Sequence, residues 1–565
     1  MNIRYFLGRL TALCLFFAAF TLFAQSAAQE MDALLSKKEL TYAEAARFIL
    51  QAADKYVTSD TEGAFWYAAN RKWLPKDAEP DETALVGGIS LLIMNAFDIE
   101  GGFMYSVTKS AHYAFRELVY KNIIQGRADR YTKVSGEYLV FIVGRALADS
   151  ERKAELADKF AEERQNAGQD GIRRIPQRPL SLDYGLAVSQ DTALYHNMAD
   201  DDTDFAYNIS LEPYFSFLLG DTGFFIASMG FSLTETDEIS RIFEVLRTEY
   251  SMRWGAFGIR FGRFTYSDAA KLAADNLFDG FQLTHNSGLG QLSLGGWYTG
   301  ILYKKSANIL MTQNDRDIYS APMVKGDVLK DYFAPPRFMV ALDWEHPSIA
   351  EFLQLKAGVA GQFDISPQND RLHSQYFSLS AGMTFRGFTL TAGGSLEAAE
   401  LRGGDPELNY AIAGEVGFYI PLEFSFSSQL SLKARYGSGN TGKPFYAFTP
   451  ITTTYWGNIF HAGISGHTIL DLTYSARFFE SLGASFTVMY FIRNDVLTPN
   501  SYMITGVDTG KKLLGAELSS KLVWSPFSDM QYTLGIGAFV PPYGNVWPDA
   551  RAIWKINLTT VFALH

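Results

Sequence analysis

Histidine, serine and glycine residues are the groups of this 565-residue chain that could carry catalysis or hold a metal ion. The eight histidines are scattered, without the HExxH or Cys/His spacing of a zinc site. No G-x-S-x-G sequence stands in a usable order with an acid and a histidine. His467 and Asp471, four positions apart, are the nearest pair, and we expect no catalysis from them. The sequence therefore predicts no enzyme, no metal site and no cofactor, although a serine and a histidine brought together from distant segments would leave no such signature.

Charged residues at alternate positions of long segments are the other group that could act on a solute. In 353–363, 470–478 and 482–493, apolar and polar residues alternate, which places one side of a strand in an apolar medium and the other in a polar one. A charge is costly against lipid and tolerable against water, where it tunes solute selectivity. A lumen filled with paired charges is the alternative. The predicted pore-lining residues are Arg247, Glu249, Arg253, Arg260, Asp343, Glu345, Lys356, Lys433, Arg435, Asp471, Arg477, Arg493, Glu517 and Lys521.

The length and number of these segments favour lipid as the apolar medium. Many segments reach about ten residues, the length that a tilted strand needs to cross a bilayer. Aromatic residues such as Tyr436, Tyr474, Trp524 and Trp554 lie near segment ends, as in interfacial girdles. Short turns, as at Gly387, alternate with long loops near 305–336, 437–463 and 494–512. We expect an all-β, antiparallel transmembrane barrel of about 16–18 strands over 181–565, and a soluble β-sandwich is the alternative.

Composition narrows the class of protein further. Hydrophobic residues make up 47% of the chain, which excludes intrinsic disorder. A single cysteine, Cys14, excludes a disulfide scaffold. The formal net charge of −12 and a pI near 5.3 leave no basic surface for nucleic acid.

Residues 1–28 have the features of a secretory signal peptide. Arg4 and Arg9 precede the apolar segment 10–23, and Ser26 and Ala28 provide small residues before a cut at Gln29. An uncleaved membrane anchor is the alternative. No later segment reaches the roughly 18 apolar residues of a membrane-spanning helix. With an export signal and a barrel, we expect the outer membrane of a diderm bacterium as the location.

Residues 29–148 have helical periodicity and an internal repeat of 50 residues, in which Ala64-Phe65 matches Ala114-Phe115 and Leu92-Ile93 matches Ile142-Val143. Chance similarity between amphipathic helices is the alternative. A charged linker is predicted at 149–180. The small all-α domain is expected in the periplasm.

The second copy of this repeat, 113–129, resembles the S-layer homology family, with Thr41-Tyr42-Ala43-Glu44 similar to its "T.AE" element. That resemblance implies binding of a cell-wall polymer such as peptidoglycan in a groove between repeats. The cell-wall-binding residues it implies are Glu44, Gly126, Asp129 and Glu137.

Three segments of the barrel region, 257–264, 276–283 and 292–298, resemble large porin-type barrels of the alginate-export kind. The resemblance implies a solute channel. The predicted function is therefore a porin-like channel for small hydrophilic solutes, tethered to the cell wall, with outer-membrane lipid as a further partner. A non-conducting barrel that serves as adhesin or envelope anchor is the alternative, and the solute and a homo-oligomeric state stay open.

Overall fold

The structure is a computed structural model. It describes residues 34–125, 130–162, 182–198, 202–220, 222–235, 239–322, 331–349, 352–367, 371–385, 387–402, 407–423, 426–440, 446–479, 481–498, 510–547 and 549–564. The predicted signal peptide and most of the predicted linker lie outside these residues. The chain divides into a helical unit and a barrel unit.

The helical unit repeats its helices at the spacing predicted from the sequence. Its helices are α1 (Tyr42–Ala52), α2 (Thr61–Asn70), α3 (Val86–Ala96), α4 (Phe103–Thr108), α5 (Ala111–Tyr120) and α6 (Gly136–Glu162). Helices α2 and α5 begin 50 residues apart, as do α3 and α6. Asp60 and Ser110 cap the first pair through side-chain acceptors, which explains why both helices begin where they do. The matched residues Phe65 and Phe115 are both buried in one core.

The predicted boundary between helical domain and linker, at 148/149, falls within α6, which continues to Glu162. Mixed charge and alanine in this stretch suit a helix, so the helical periodicity extends past the apolar core. Among the residues that the structure describes, no helix is both long and apolar enough to cross a membrane.

The barrel unit is one antiparallel sheet of 18 strands. The strands are β1 (Leu182–Asn197), β2 (Asp202–Leu219), β3 (Gly223–Glu235), β4 (Ile239–Trp254), β5 (Phe257–Ser267), β6 (Asp275–Ser287), β7 (Gly290–Tyr298), β8 (Arg337–Ile349), β9 (Leu353–Asp364), β10 (Arg371–Phe385), β11 (Phe388–Arg402), β12 (Glu407–Glu423), β13 (Ser427–Gly437), β16 (His467–Phe479), β17 (Leu482–Arg493), β18 (Leu513–Phe527), β19 (Met530–Val540) and β20 (Ile553–Leu564). A separate two-stranded ribbon joins β14 (Tyr455–Trp456) to β15 (Ala462–Gly463). Strand β1 pairs with β20 from Leu186↔Leu564 to Asn197↔Ile553, so the sheet closes on itself. The predicted barrel and its strand number are confirmed.

Side chains alternate between the two faces of the wall. On β16, Leu470 and Leu472 are 44% and 40% exposed, whereas Asp471 between them is 9% exposed. Their partners follow the same faces, since Leu472 pairs with Leu432 and Val488. The outer face is therefore apolar around the sheet, and the inner face carries the polar residues.

The connections differ at the two ends of the barrel. Eight connections at the end where β1 begins and β20 ends have two or three residues, and Gly387 in one of them has a φ of 84°. The connections at the other end include 299–336, 438–466 and 494–512, close to the predicted long loops. Outer-membrane barrels place short turns in the periplasm and long loops outside.

The seam between β4 and β5 is incomplete. Their pairing runs from Trp254↔Phe257 only to Thr248↔Arg263, so β4 continues to Ile239 without β5 beside it. Arg263 bridges this gap by donating to the backbone oxygens of Val245 and Ile301, and it pairs with Asp279 at 2.6 Å.

The alternation predicts different costs for arginine on the two faces of β16. Leu472→Arg should destabilise the refolded barrel by about 2–4 kcal/mol because it places a charge in lipid near mid-strand. Thr473→Arg, one residue along on the inner face, should cost under about 1 kcal/mol since its charge faces water. Urea unfolding in lipid vesicles, followed by tryptophan fluorescence, measures both, and equal costs would contradict the assignment of faces.

Candidate functional site

The inner face of the barrel gathers the charged residues of the strands. By register and alternation, all fourteen predicted pore-lining residues belong to it. Several form ion pairs around the wall. Glu249 binds Arg247 at 2.5 Å and Arg260 at 2.8 Å, and Arg435 binds Glu415 at 2.5 Å and Asp471 at 3.4 Å.

The exposure of these pairs differs along the barrel. The side chains of Glu345 and Lys356, 2.9 Å apart near the short-turn end, are 45% and 42% exposed. Arg247 is also 41% exposed. Charges that face inward and remain this exposed border open space inside the cylinder.

The remaining predicted residues occupy separate places on the inner face. Arg493 donates to the backbone oxygen of Lys511 at 2.6 Å, and the ammonium of Lys433 lies 5.3 Å from the Tyr419 ring centre. Within the described part of the chain, Arg253, Lys433 and Lys521 form no ion pair. Asp343 pairs with Ser293 on the neighbouring strand, and Arg477 pairs with Ser427. Each charge therefore lies beside a serine on the inner face.

Loop 268–274 folds toward the inner face from the long-loop end. Asp268 fixes its shape by accepting hydrogen bonds from the backbone N–H groups of Ala273 and Ala274 at 2.9 and 2.8 Å. Ser380 on β10 then donates to the Ala269 oxygen at 2.6 Å. The loop is thus held several strands away from β5 and β6, which it connects.

Loop 438–466 lies against the first loop and against the inner face of the wall. The N–H of Ile451 donates to the Ala273 oxygen at 2.7 Å. The N–H of Thr449 donates to Glu397 on β11 at 2.7 Å, and Tyr376 on β10 donates to the Thr449 oxygen at 2.6 Å. Phe448 and Ile451 are fully buried in a cluster with wall residues such as Trp297.

Glu517 on β18 holds the far end of the same loop. Its Oε1 accepts from the N–H of Asn458 at 2.6 Å, and its Oε2 accepts from Ile459 at 3.1 Å and Phe460 at 3.0 Å. Gly457, with a φ of 89°, lets the backbone turn so that these N–H groups reach the Glu517 carboxylate. Lys555 on β20 donates to the Asn458 oxygen at 3.0 Å. Glu517 therefore acts as a loop anchor rather than as a group facing solute.

Loop 299–336 supplies the third inward segment, with α7 (Lys304–Ala307) and α8 (Gln313–Ser320). Asn308 and Thr453 exchange hydrogen bonds between this loop and loop 438–466. Asp315 of α8 binds Arg337 on the wall at 2.7 Å, and Arg337 also contacts Asp364 at 3.3 Å. All three of these charged side chains are buried, so the loop is tied into the wall.

Loop 494–512 begins with a tight turn around Asp495. Burial opposes ionisation of this carboxyl, but hydrogen bonds from Thr498, Leu497 and Asn440 outweigh it and hold the pKa of Asp495 below its usual value. Because Asn440 belongs to loop 438–466, the ionised carboxylate joins two of the long loops.

Sequence reasoning missed the inward course of these loops and the anchoring roles of Glu397 and Glu517. A signal was present, because the long loops contain apolar residues of the kind that are buried, such as Leu272, Phe448, Ile451 and Phe460. In the parts of the chain that the structure describes, no group of acids, histidines and cysteines is placed to hold a metal ion.

The helical unit has a cavity of about 420 Å³ between its two repeats. Its lining includes Tyr42, Gly87, His112, Arg130 and Tyr131. Arg130 lies 3.3 Å from the His112 ring nitrogen and over the Tyr131 ring. Burial raises the pKa of Tyr42, which keeps its hydroxyl protonated.

The residues predicted for cell-wall binding lie elsewhere or outside the described residues. Glu44 closes a capping box with Thr41 and pairs with Lys37, which is a role in helix stability. Glu137 is exposed in the first turn of α6. Gly126 and Asp129 are outside the described residues. The sequence did not single out His112 or Arg130.

No protein-family model and no curated protein matches the chain. Solved structures of similar fold include Pseudomonas aeruginosa OccK2 (OpdF) in complex with glucuronate, at 12% identity and a TM-score of 0.46 over 68% of this chain and 98% of that chain. OccK11 (OpdR) is similar at 12% identity and 0.44, over 68% and 96%. OpdK with vanillate is similar at 11% identity and 0.42, over 68% and 98%.

The hydrogen bonds that Glu517 accepts from loop 438–466 predict a local rise in hydrogen exchange when this side chain is removed. In Glu517→Ala, backbone N–H groups of 458–460 lose a charged acceptor worth about 2 kcal/mol, so hydrogen exchange there should accelerate roughly thirtyfold. Hydrogen-exchange mass spectrometry of the refolded chain measures this. Glu345→Ala, which removes an inward acid that holds no loop, is the matched control. Unchanged exchange at 458–460 in Glu517→Ala would disprove the anchor.

Proposed function

We propose that this chain is a porin-like channel of the outer membrane that passes small hydrophilic solutes. The observation that carries the proposal is the closed cylinder with an apolar exterior and half-exposed ion pairs inside, above all Glu345 and Lys356. Charges at that depth are tolerated because water reaches them. The three inward loops narrow the lumen toward the long-loop end, which favours small solutes over large ones.

The rival function is a non-conducting barrel that displays its loops as an adhesin or anchors the envelope. The gathering of 299–336, 438–466 and 494–512 at one end favours this reading. The buried anchors of these loops oppose it, since Phe448, Ile451 and Phe460 point their apolar groups away from any external partner.

The channel proposal predicts discrete conductance from the refolded full chain in planar bilayers. Glu517→Ala should raise the single-channel conductance because it frees one end of loop 438–466 from the wall. Glu345→Ala should keep the conductance within about twofold of the parent value, because it removes a lining charge and leaves every loop anchor in place. A correctly folded barrel without any conductance would refute the channel and leave the structural rival.

We also propose that the helical unit tethers the barrel to a cell-wall polymer through the cavity between its repeats. Arg130 and His112 supply donors, Asp77 and Glu82 supply acceptors, and Tyr42 and Tyr131 supply aromatic surface, a combination suited to a hydroxylated glycan. Peptidoglycan meets that description and is the partner we test.

The tether proposal predicts retention of the detergent-solubilised full chain on purified peptidoglycan. Arg130→Ala should lower the retained fraction at least about fivefold by removing a charged donor from the cavity. Lys133→Ala, which removes a nearby cation paired with Glu39 at 2.8 Å outside the cavity lining, should have no effect. Equal retention of both variants, or none of the parent chain, would contradict the tether.

A further inference from the structure

The anchors of the inward loops are unevenly distributed around the wall. Loop 268–274 is held by β10, and loop 438–466 is held by β10, β11, β18 and β20. Loop 299–336 is held by β8 and by the free edge of β4, where Tyr332 donates to the Phe243 oxygen at 2.9 Å. Among the loop residues that the structure describes, none of these anchors lies on β1, β2 or β3.

Part of the inner face of β1–β3 is lined by small polar side chains. Asn208 and Thr234 are hydrogen-bonded at 2.8 Å, and Ser189 and Ser210 at 2.6 Å. Ser232 faces inward beside Ser210 and is partly exposed. Short side chains of this kind leave room between the wall and the loops opposite.

Three carboxylates stand at regular intervals on this face, and we call them the acidic wall: Glu212, Asp191 and Asp204. Glu212 pairs with position 187 of β1 and Asp204 with position 195, so the three levels along β1 are 187, 191 and 195. A step of four residues is about 13 Å along a strand. A solute that passes this face therefore stays near a carboxylate over much of the membrane thickness.

The neighbouring cations are engaged with other groups. Lys555 donates to loop 438–466 and lies 4.7 Å from the Tyr195 ring centre, and Arg247 pairs with Glu249. A further acid, Glu244 on β4, is close enough to Glu212 for their charges to interact and accepts from Ser306 of loop 299–336 at 2.7 Å. The acidic wall and the edge of this loop thus face the same space.

We propose that solutes cross the barrel between the inward loops and the inner face of β1–β3, and that the acidic wall makes this passage prefer cationic solutes over anionic ones. The inference rests on the proposed channel function and adds the path and the charge class of the solute. The hydroxyl groups along the path also suit hydroxylated neutral solutes, whereas anions meet a repulsive field over its whole length.

The first test measures the reversal potential of the refolded full chain in a potassium chloride gradient. The potassium-to-chloride permeability ratio should exceed about 3 near 0.1 M salt and fall to about 1 in D191N/D204N/E212Q. E39Q/K133Q, which removes one charge of each sign from an ion pair of the helical unit, should keep the parent ratio. Conductance without cation preference, or a preference that survives the triple variant, would overturn the inference and leave the channel standing, while absence of conductance would overturn both.

The second test locates the path by labelling introduced cysteines, which is simple because the chain has a single natural cysteine. In a Cys14→Ser background, Ser232→Cys places a thiol on the proposed path, and Ser378→Cys places one on β10, where the side chain is 2% exposed. A positively charged methanethiosulfonate reagent should reduce conductance at least about twofold in the first variant and leave the second unchanged. The reverse pattern, or no block in Ser232→Cys, would refute the path.

Discussion

Complete backbone hydrogen bonding is the constraint on which this barrel depends. In hydrocarbon an unpaired N–H or C=O group costs several kcal/mol, so a membrane-spanning sheet has to close. Pairing of β1 with β20 over the register from Leu186 to Asn197 satisfies that requirement. Where β4 continues beyond its pairing with β5, Arg263 donates to the backbone oxygen of Val245. Closure fixes the alternation of faces, and the alternation then places all fourteen predicted pore-lining residues on the inside.

The interior combines two environments within one cylinder. Toward the long-loop end, inward loops form apolar clusters with the wall, in which Trp297 and Phe539 are buried. Toward the short-turn end, Glu345 and Lys356 are nearly half exposed. A packed region held by buried pairs such as Arg337–Asp315 can give a fixed aperture, whereas exposed pairs alone would leave a wide pore with little discrimination. The described interior thus combines features of a lined lumen and of a partly filled one.

Much of this architecture was predictable from local pattern. Segments in which apolar and polar residues alternate, such as 470–478, predicted both the strand and its inner residue Asp471, because alternation is a property of neighbouring positions. The 50-residue repeat likewise predicted the paired helices α2 and α5. The course of the long loops was not predictable, because Asn458 and Glu517 lie 59 positions apart and Thr449 and Glu397 lie 52 apart. No periodicity within a loop specifies a partner at that distance. For the same reason, the cavity beside Arg130, whose lining residues are far apart in the sequence, could not be predicted.

The position of these partners along the chain has a consequence for biogenesis. Loop 438–466 is made before Glu517 on β18 and before Lys555 on β20, the residue that binds Asn458 from 97 positions downstream. Its backbone groups can bind these two side chains only after the last strands have joined the sheet. Insertion and sealing of the cylinder must therefore precede internal packing, and a newly inserted molecule would be leakier than a mature one until that final step.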